Sequence, residues 1–205
     1  MARQISAITP QKKNRSRYNV YIDDEYAFSV SSKVAMTIHT GQPVDENRIE
    51  SLKRADEHEQ AFERSLHYLS FRARSRKEIL RYLEKRGFGP EAARSAISRL
   101  EDYGYIDDAA FAALWIESRR KLRPRGGFAL RHELAEKGVE KKIIDQALAG
   151  FDETEAAHDA VSKKASRWSG LPEREKKAKI YNFLRQHGFS FETCHAVADS
   201  ETTGK

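Results

Sequence analysis

Two clusters of basic side chains are the residues of this sequence whose types and spacing could perform a chemical task. Lys and Arg arrayed on one surface neutralise phosphates and release counterions, which is how proteins hold a nucleic-acid backbone. Both clusters come at equivalent places in a repeated pattern, so they predict a surface that faces a polyanion. The alternative is a solvated helix end, where cations are favoured for local reasons. The candidates are Arg72, Arg74, Arg76, Lys77 and Arg81 in the first cluster, Arg119, Arg120, Lys121, Arg123 and Arg125 in the second cluster, and Arg131 as a further choice.

No arrangement of residues in the sequence predicts catalysis, a metal or a cofactor. The seven histidines form no zinc-ligand spacing with the single cysteine, Cys194. The pair at 126–127 lacks the spacing and the following Lys-Ser or Lys-Thr of a glycine-rich phosphate loop. The acidic pairs at 23–24 and 107–108 are interpreted as turn and helix-cap residues. The sequence therefore indicates a non-enzymatic protein with no cofactor and no metal site.

The composition limits the fold and the partners. The 205 residues are 39% hydrophobic and 33% charged, which suits a string of small bundles better than one large globule. A net charge of +6 and a pI near 9.3 permit an acidic partner. The single cysteine excludes an internal disulfide and fits a reducing compartment, and no apolar run is long enough to cross a bilayer or to form a signal peptide. We therefore expect a cytoplasmic protein with no membrane partner.

A four-position pattern occurs three times and indicates where helices end. Each copy has a Leu, then four residues later a Gly, with a basic-type residue before the Gly and an apolar residue after it. The copies are 83–88, 134–139 and 184–189, so the glycines are 51 and then 50 residues apart. A Gly just past the last helical turn adopts positive φ at little cost and closes a Schellman motif. We predict C-caps at Gly87, Gly138 and Gly188 and an internal repeat of about 50 residues.

These signals predict a mainly α protein, with a small N-terminal β-hairpin module followed by three tandem three-helix repeats that form an elongated array. Strands are predicted at 5–8, 17–22 and 26–30, and nine helices over 56–200. The predicted boundaries are 1–50 for the β-rich module and 51–106, 107–152 and 153–205 for the repeats, with the last five residues frayed.

Apolar residues at helical spacing predict the core of each repeat. Ser75 and Glu78 match a capping box that starts the second helix of the first repeat. The inward positions of the three first helices are Phe62, Leu66, Leu69 and Ala73, then Phe111, Trp115, Ser118 and Leu122, then Ala157, Val161, Lys164 and Trp168. We expect the following to be largely buried: Phe62, Leu66, Leu83, Ile97, Phe111, Trp115, Leu134, Ile144 and Leu148.

Three stretches of the chain form a specific combination. They are Leu69-Ser-Phe-Arg-Ala-Arg-Ser-Arg-Lys-Glu-Ile79, then Gly104-Tyr-Ile-Asp-Asp-Ala-Ala-Phe-Ala112, and Arg123-Pro-Arg-Gly-Gly127 running on to the pattern at 134–139. Together they resemble the RecX family of bacterial recombinase regulators. The resemblance implies tandem three-helix repeats, binding to RecA, docking in the groove of the RecA–DNA filament, and inhibition of its ATPase and strand exchange. It thereby implies a role in homologous recombination, DNA repair and the SOS response.

The sequence leaves three functions open. The leading interpretation is a monomeric, non-enzymatic regulator that binds RecA and its nucleoprotein filament and contacts single- or double-stranded DNA through the basic clusters. The second is a stand-alone DNA-binding helical-repeat protein without a recombinase target, and the third is a scaffold that binds only protein. Salt-dependent binding to bare DNA separates the scaffold from the other two, and an effect on the recombinase separates the first from the second.

Overall fold

The computed structural model describes residues 3–202, which form a three-stranded antiparallel sheet and ten α-helices. The strands are β1 (Ile5–Pro10), β2 (Arg17–Ile22) and β3 (Glu25–Ser31). The helices are α1 (Ser32–Ala35), α2 (Glu46–Leu69), α3 (Arg76–Lys85), α4 (Pro90–Asp102), α5 (Asp108–Leu122), α6 (Gly127–Glu136), α7 (Lys141–Leu148), α8 (Glu153–Ser162), α9 (Glu173–Gln186) and α10 (Phe191–Ser200), with a 3-10 turn at Ala165–Arg167. The predicted fold class, mainly α with a small N-terminal β module, is confirmed, and the elongated arrangement of the repeats stays a prediction. The predicted C-terminal fraying falls partly on 203–205, which lie outside the described residues.

The N-terminal sheet has the order β1-β2-β3, and its hairpin turns without a glycine. Asp23 and Asp24 both adopt positive φ, 50° and 66°, the conformation that a two-residue hairpin loop favours at both positions. The backbone N–H of Gln4 donates to the Asp23 carboxylate at 3.1 Å, and the N–H of Asp24 donates to the Ser6 hydroxyl at 2.8 Å. These contacts with β1 and its preceding residue hold an acidic turn in a backbone region that non-glycine residues rarely adopt.

Helix α2 belongs to two cores at once. It begins at the Asp45 cap, whose carboxylate accepts from the N–H of Arg48 at 2.7 Å. Its first half packs Ile49 and Leu52 against the sheet, and its second half contributes Ala61 and Phe62 to the next core. The predicted boundary between 50 and 51 therefore falls inside a continuous helix, and the four-domain division stays a prediction.

The described chain divides into two compact units. The first unit runs to Arg74 and includes Ile79–Ile106, so it holds the sheet core and the core of α2–α4. The second unit combines Ser75–Glu78, the first turn of α3, with the chain from Asp107, and holds the cores of α5–α7 and α8–α10.

The buried residues follow the predicted spacing, with exceptions in α5 and beyond the ends of α2 and α8. Ala73 was expected to face inward but is exposed after α2 ends, and Lys164 and Trp168 lie after the last residue of α8. Seven of the nine expected core residues are buried, while Leu66 and Trp115 are half-buried. Leu122, expected to face inward, is 76% exposed, and Ser118 is exposed as well. The reason is length, because α5 has 15 residues and is about 22 Å long, whereas α6 and α7 have 10 and 8 residues. The last turn of α5 therefore extends past the helices that cover its inward face.

The three predicted C-caps are confirmed as Schellman motifs. Gly87, Gly138 and Gly188 have φ of 86°, 84° and 80°. In each copy the N–H after the glycine returns to the carbonyl of the Leu, at 3.2 Å, 3.1 Å and 3.2 Å in chain order. The Ser75–Glu78 capping box is confirmed too, since the Ser hydroxyl accepts from the Glu N–H at 3.2 Å and the Glu carboxylate accepts from the Ser N–H at 3.4 Å.

Gly138 and Gly188 are the two cap glycines of the second unit. The carbonyl of the residue before each of them accepts a hydrogen bond from a loop elsewhere in the chain. The Ser75 hydroxyl donates to the carbonyl of Lys137 at 2.6 Å, and the N–H of Gly126 donates to the carbonyl of His187 at 3.0 Å. A Cβ on Gly126 would collide with the backbone of Phe189, so this close approach requires glycine. The same carbonyl position is thus used twice, and we name this contact the docked carbonyl.

Candidate nucleic-acid interface

The first cluster surrounds the start of α3. Arg72, Arg76, Lys77 and Arg81 are exposed, whereas Arg74 is half-buried. The Arg74 guanidinium lies 3.9 Å from the centre of the Tyr68 ring, which stacks on Tyr82 with 4.0 Å between centroids. Both tyrosines pack against the core of α2–α4. Arg74 is therefore held by cation–π contact, and the exposed members of the cluster present most of its charge to solvent.

An acidic side chain caps the same helix start. The Asp108 carboxylate accepts from the backbone N–H of Arg76 at 2.8 Å, while the neighbouring Asp107 caps α5 through the N–H of Ala109 at 2.7 Å. Burial raises the pKa of Asp108, an effect that the hydrogen bond from Arg76 partly offsets. The acidic pair at 107–108, interpreted from sequence as caps, thus serves two helices.

In the second cluster, Arg119 and Arg125 are tied to one carboxylate. Glu133 accepts from Arg119 Nε at 2.6 Å and from Trp115 Nε1 at 2.8 Å, and Arg125 Nε lies 3.8 Å from it. The Arg119 guanidinium also lies 4.5 Å from the centre of the Trp115 ring. The contacts of Arg119 therefore support the α5–α6 packing.

Three further cations of the predicted set form ion pairs at the surface. Glu117 pairs with Arg120 at 3.1 Å and with Lys121 at 3.1 Å, and these partners lower the pKa of the Glu117 carboxyl. Arg131 pairs with Asp145. Exposed pairs contribute little because water and salt screen them, so a phosphate can displace such carboxylates at small cost.

Arg123 differs from these residues, since within the described part of the chain no carboxylate pairs with it. It follows the end of α5 and is exposed. Together with Arg125 it lines a concave pocket whose opposite side is formed by α8, α9 and their connections. The pocket, which we name the basic pocket, is lined by Leu122, Arg123, Pro124, Arg125, Ala160, Lys163, Lys164, Phe183 and His187.

Three members of the basic pocket are not predicted from the sequence as functional residues. The helical spacing predicts an inward position for Lys164, and it predicts no functional role for Lys163 or His187. Lys163 in fact caps α8 and its ammonium donates to the carbonyl of Lys121 at 2.8 Å, while His187 Nδ1 donates to the carbonyl of Phe183 at 2.7 Å. The available signal was the Lys163-Lys164 pair itself, which follows α8 as the second cluster follows α5.

Within the described part of the chain, the possible metal ligands do not form a metal site, and the single cysteine, Cys194, is not exposed. Across 3–202, no group of three His, Cys, Asp or Glu side chains could hold a metal ion. Cys194 is buried in the core of α8–α10, and burial raises the pKa of its thiol. Over the same residues, no helix is both long and apolar enough to span a bilayer.

Domain models of one family match the chain in four consecutive segments. The RecX N-terminal domain matches 3–45, and the first, second and third RecX three-helix domains match 61–100, 107–148 and 152–197. The chain belongs to the RecX family. The first basic cluster lies within the first three-helix domain, and the second cluster and Arg131 lie within the second.

Individual RecX proteins are similar over nearly the whole chain. Regulatory protein RecX of Bacillus subtilis is 35% identical over 95% of this chain and 76% of its own length, and that of Lactobacillus johnsonii is 34% identical over 95% and 73%. A crystal structure of regulatory protein RecX superimposes with a TM-score of 0.77 at 30% identity, covering 96% of this chain and 99% of the other. The RecX of Lactobacillus salivarius has a TM-score of 0.64 at 25% identity, covering 72% and 97%. The Bacillus subtilis and Lactobacillus johnsonii proteins and the first of these structures are named as regulatory proteins and not as enzymes.

Proposed function

We propose that this protein is a non-enzymatic regulator that binds RecA and the RecA–DNA filament and lowers its ATPase and strand-exchange activity. Its basic residues contact the DNA of the filament, and it acts as a monomer in the cytoplasm. The family membership supports the regulatory role. The choice of RecA as the target rests on the resemblance to this family and on no contact of this chain.

The observation that carries the DNA contact is the exposure of basic side chains at two helix junctions. Arg72 and Arg81 are exposed in the first unit, and Arg76 is exposed at the start of α3. Arg123 is exposed directly after the end of α5. A filament built on DNA offers phosphates along a groove, and each cation that reaches one releases counterions. The paired residues Arg120 and Lys121 join them where a phosphate replaces Glu117.

The test is ATP hydrolysis by RecA on single-stranded DNA, measured with increasing amounts of this protein at two salt concentrations. Lys121→Gln with Arg123→Gln removes two charges at the second cluster. Lys141→Gln with Lys142→Gln is the matched control, because it removes two exposed charges from the start of α7 in the same unit. We expect the cluster variant to need about tenfold more protein for half-inhibition, since one charge-assisted contact is worth about that factor.

Two outcomes would contradict the proposal at different levels. Equal half-inhibition and equal salt dependence for the cluster and control variants would remove these residues from the interface. No effect of the wild-type protein on any RecA activity would remove the regulatory target. If the wild-type protein still bound DNA in that case, the stand-alone DNA-binding function would take its place.

A further inference from the structure

The basic pocket is a built concavity within the second unit. One wall is the segment after α5, held against the α9–α10 turn by the docked carbonyl of His187, which accepts from Gly126 at 3.0 Å. The other wall is the end of α8, where Lys163 donates to the carbonyl of Lys121 at 2.8 Å. Hydrogen bonds at both sides hold the cations of two elements around one space.

The charge in the basic pocket is of one sign. Arg123, Arg125, Lys163 and Lys164 line it, and none of the described residues that line it is acidic. Lys164 is half-buried, and across 3–202 no carboxylate pairs with it. Lys163 keeps two N–H groups after its bond to Lys121, because an ammonium has three. Several donors with uncompensated charge therefore converge on the same space.

The donors select the chemistry of the ligand. Arg and Lys side chains donate hydrogen bonds and accept none. They can bind the acceptors on a guanine edge, but a neutral base would leave the positive charge of the basic pocket uncompensated. A phosphate only accepts, and guanidinium and ammonium groups bind it strongly. We propose that the basic pocket seats one backbone phosphate of a nucleic acid, an inference that rests on the proposed function and adds Lys163 and Lys164 to its DNA contacts.

A local explanation competes with this proposal. The basic pocket lies where α5 and α8 both end, and cations stabilise the carbonyls at helix C-termini. On that explanation, replacing Lys163 and Lys164 lowers the stability of the protein. The DNA affinity then changes only as much as after the loss of any two surface charges. The two explanations therefore differ in what the same variant changes.

The experiment measures anisotropy of a labelled single-stranded oligothymidylate as salt increases, for wild type, Lys163→Gln with Lys164→Gln, and the Lys141→Gln with Lys142→Gln control. We expect affinity to fall about tenfold in the pocket variant. Its slope of log affinity against log salt should decrease by about 0.7, the value for one phosphate on a single strand. The control should stay within about twofold, as expected for distant charges. Equal losses in the two double variants would overturn the proposal, as would a loss of stability without a specific loss of affinity.

A second measurement observes the basic pocket directly through the NMR signal of the His187 imidazole, assigned with His187→Gln. The oligothymidylate should shift this signal, and inorganic phosphate should do so only at much higher concentration. DNA binding without a shift would overturn the pocket and leave the proposed function intact. A shift of the His187 signal without any effect on RecA would support the pocket and contradict the proposed function. A nucleoside triphosphate acting at lower concentration than the oligothymidylate, at equal ionic strength, would overturn the assignment to a nucleic-acid backbone.

Discussion

The cap glycines share one backbone conformation but differ in their surroundings, and this difference is measurable. A Cβ at such positive φ costs roughly 1–2 kcal/mol, which a stiffer unfolded chain offsets by about 0.4–1 kcal/mol. At Gly87 the added Cβ would enter open space. Gly87→Ala is therefore expected to lower the free energy of unfolding by about 1 kcal/mol, from backbone strain alone.

Gly188→Ala adds a collision to the same strain. Its Cβ would lie 2.5 Å from the Cβ of Ala129 and 2.7 Å from the backbone nitrogen of that residue. Overpacking against rigid atoms costs typically about 1–3 kcal/mol, so we expect a total loss of about 2–4 kcal/mol. Gly138→Ala should also cost about 2–4 kcal/mol, because its Cβ would lie 2.5 Å from the Cβ of Lys77, an atom that side-chain rotation cannot move aside.

Urea unfolding of the three variants, followed by far-UV circular dichroism, tests this order. Fluorescence of Trp115 and Trp168, both in the second unit, reports separately on the unit that contains Gly188. Equal losses for Gly87→Ala and Gly188→Ala would refute the close approach as a source of cost. Unchanged stability of Gly87→Ala would refute the strain argument itself.

Two further predictions concern side chains. Trp115→Ala should lower the free energy of unfolding in urea by about 2–3 kcal/mol, a figure that includes the lost hydrogen bond to Glu133. The loss is smaller than the roughly 3–5 kcal/mol of a fully enclosed ring because Trp115 is half-buried. A loss as large as that of an enclosed ring would contradict this. Burial raises the pKa of Glu59, but hydrogen bonds from Lys33 and Arg99 outweigh it and leave the pKa below 4.5. Its stabilising contribution is therefore present above about pH 4.5 and lost as pH falls through the lower folded value. Wild-type stability should decline more steeply than that of Glu59→Gln in this acid range, and parallel declines would contradict the argument.

The positions that could be predicted from sequence are those governed by local backbone chemistry. The cap glycines and the Ser75 capping box depend on residues within one helical turn, so their spacing alone predicts them. The turn at Asp23 was predicted without a glycine, but its positive φ depends on contacts with Gln4 and Ser6, which sequence does not bring together. Leu122 followed the helical period correctly and is nevertheless exposed, because the lengths of neighbouring helices decide what is covered.

The candidate site was less accessible to sequence reasoning, because a cation and its partner are often far apart in the chain. Arg119 and Glu133 are separated by 14 residues, and nothing local distinguishes this paired arginine from the unpaired Arg123. Lys164 had a helical position that predicts burial in a core, yet the structure places it on the wall of a pocket. The charge clusters were evident in the sequence, whereas the carboxylate partners of Arg119, Arg120 and Lys121 became evident only from the fold.

The docked carbonyl also has a consequence for the order in which the chain folds during synthesis. The Ser75 hydroxyl binds a carbonyl 62 residues further along, so the contact cannot form until Lys137 has left the ribosome. The hydrogen bond from the N–H of Gly126 likewise cannot form until His187 has left the ribosome. At several residues per second, each of these loops stays undocked for seconds while the next repeat is made. The first and second repeats are therefore each completed by the next one, and a nascent chain stalled before residue 137 would leave the Ser75 side chain, which the finished protein buries, open to solvent.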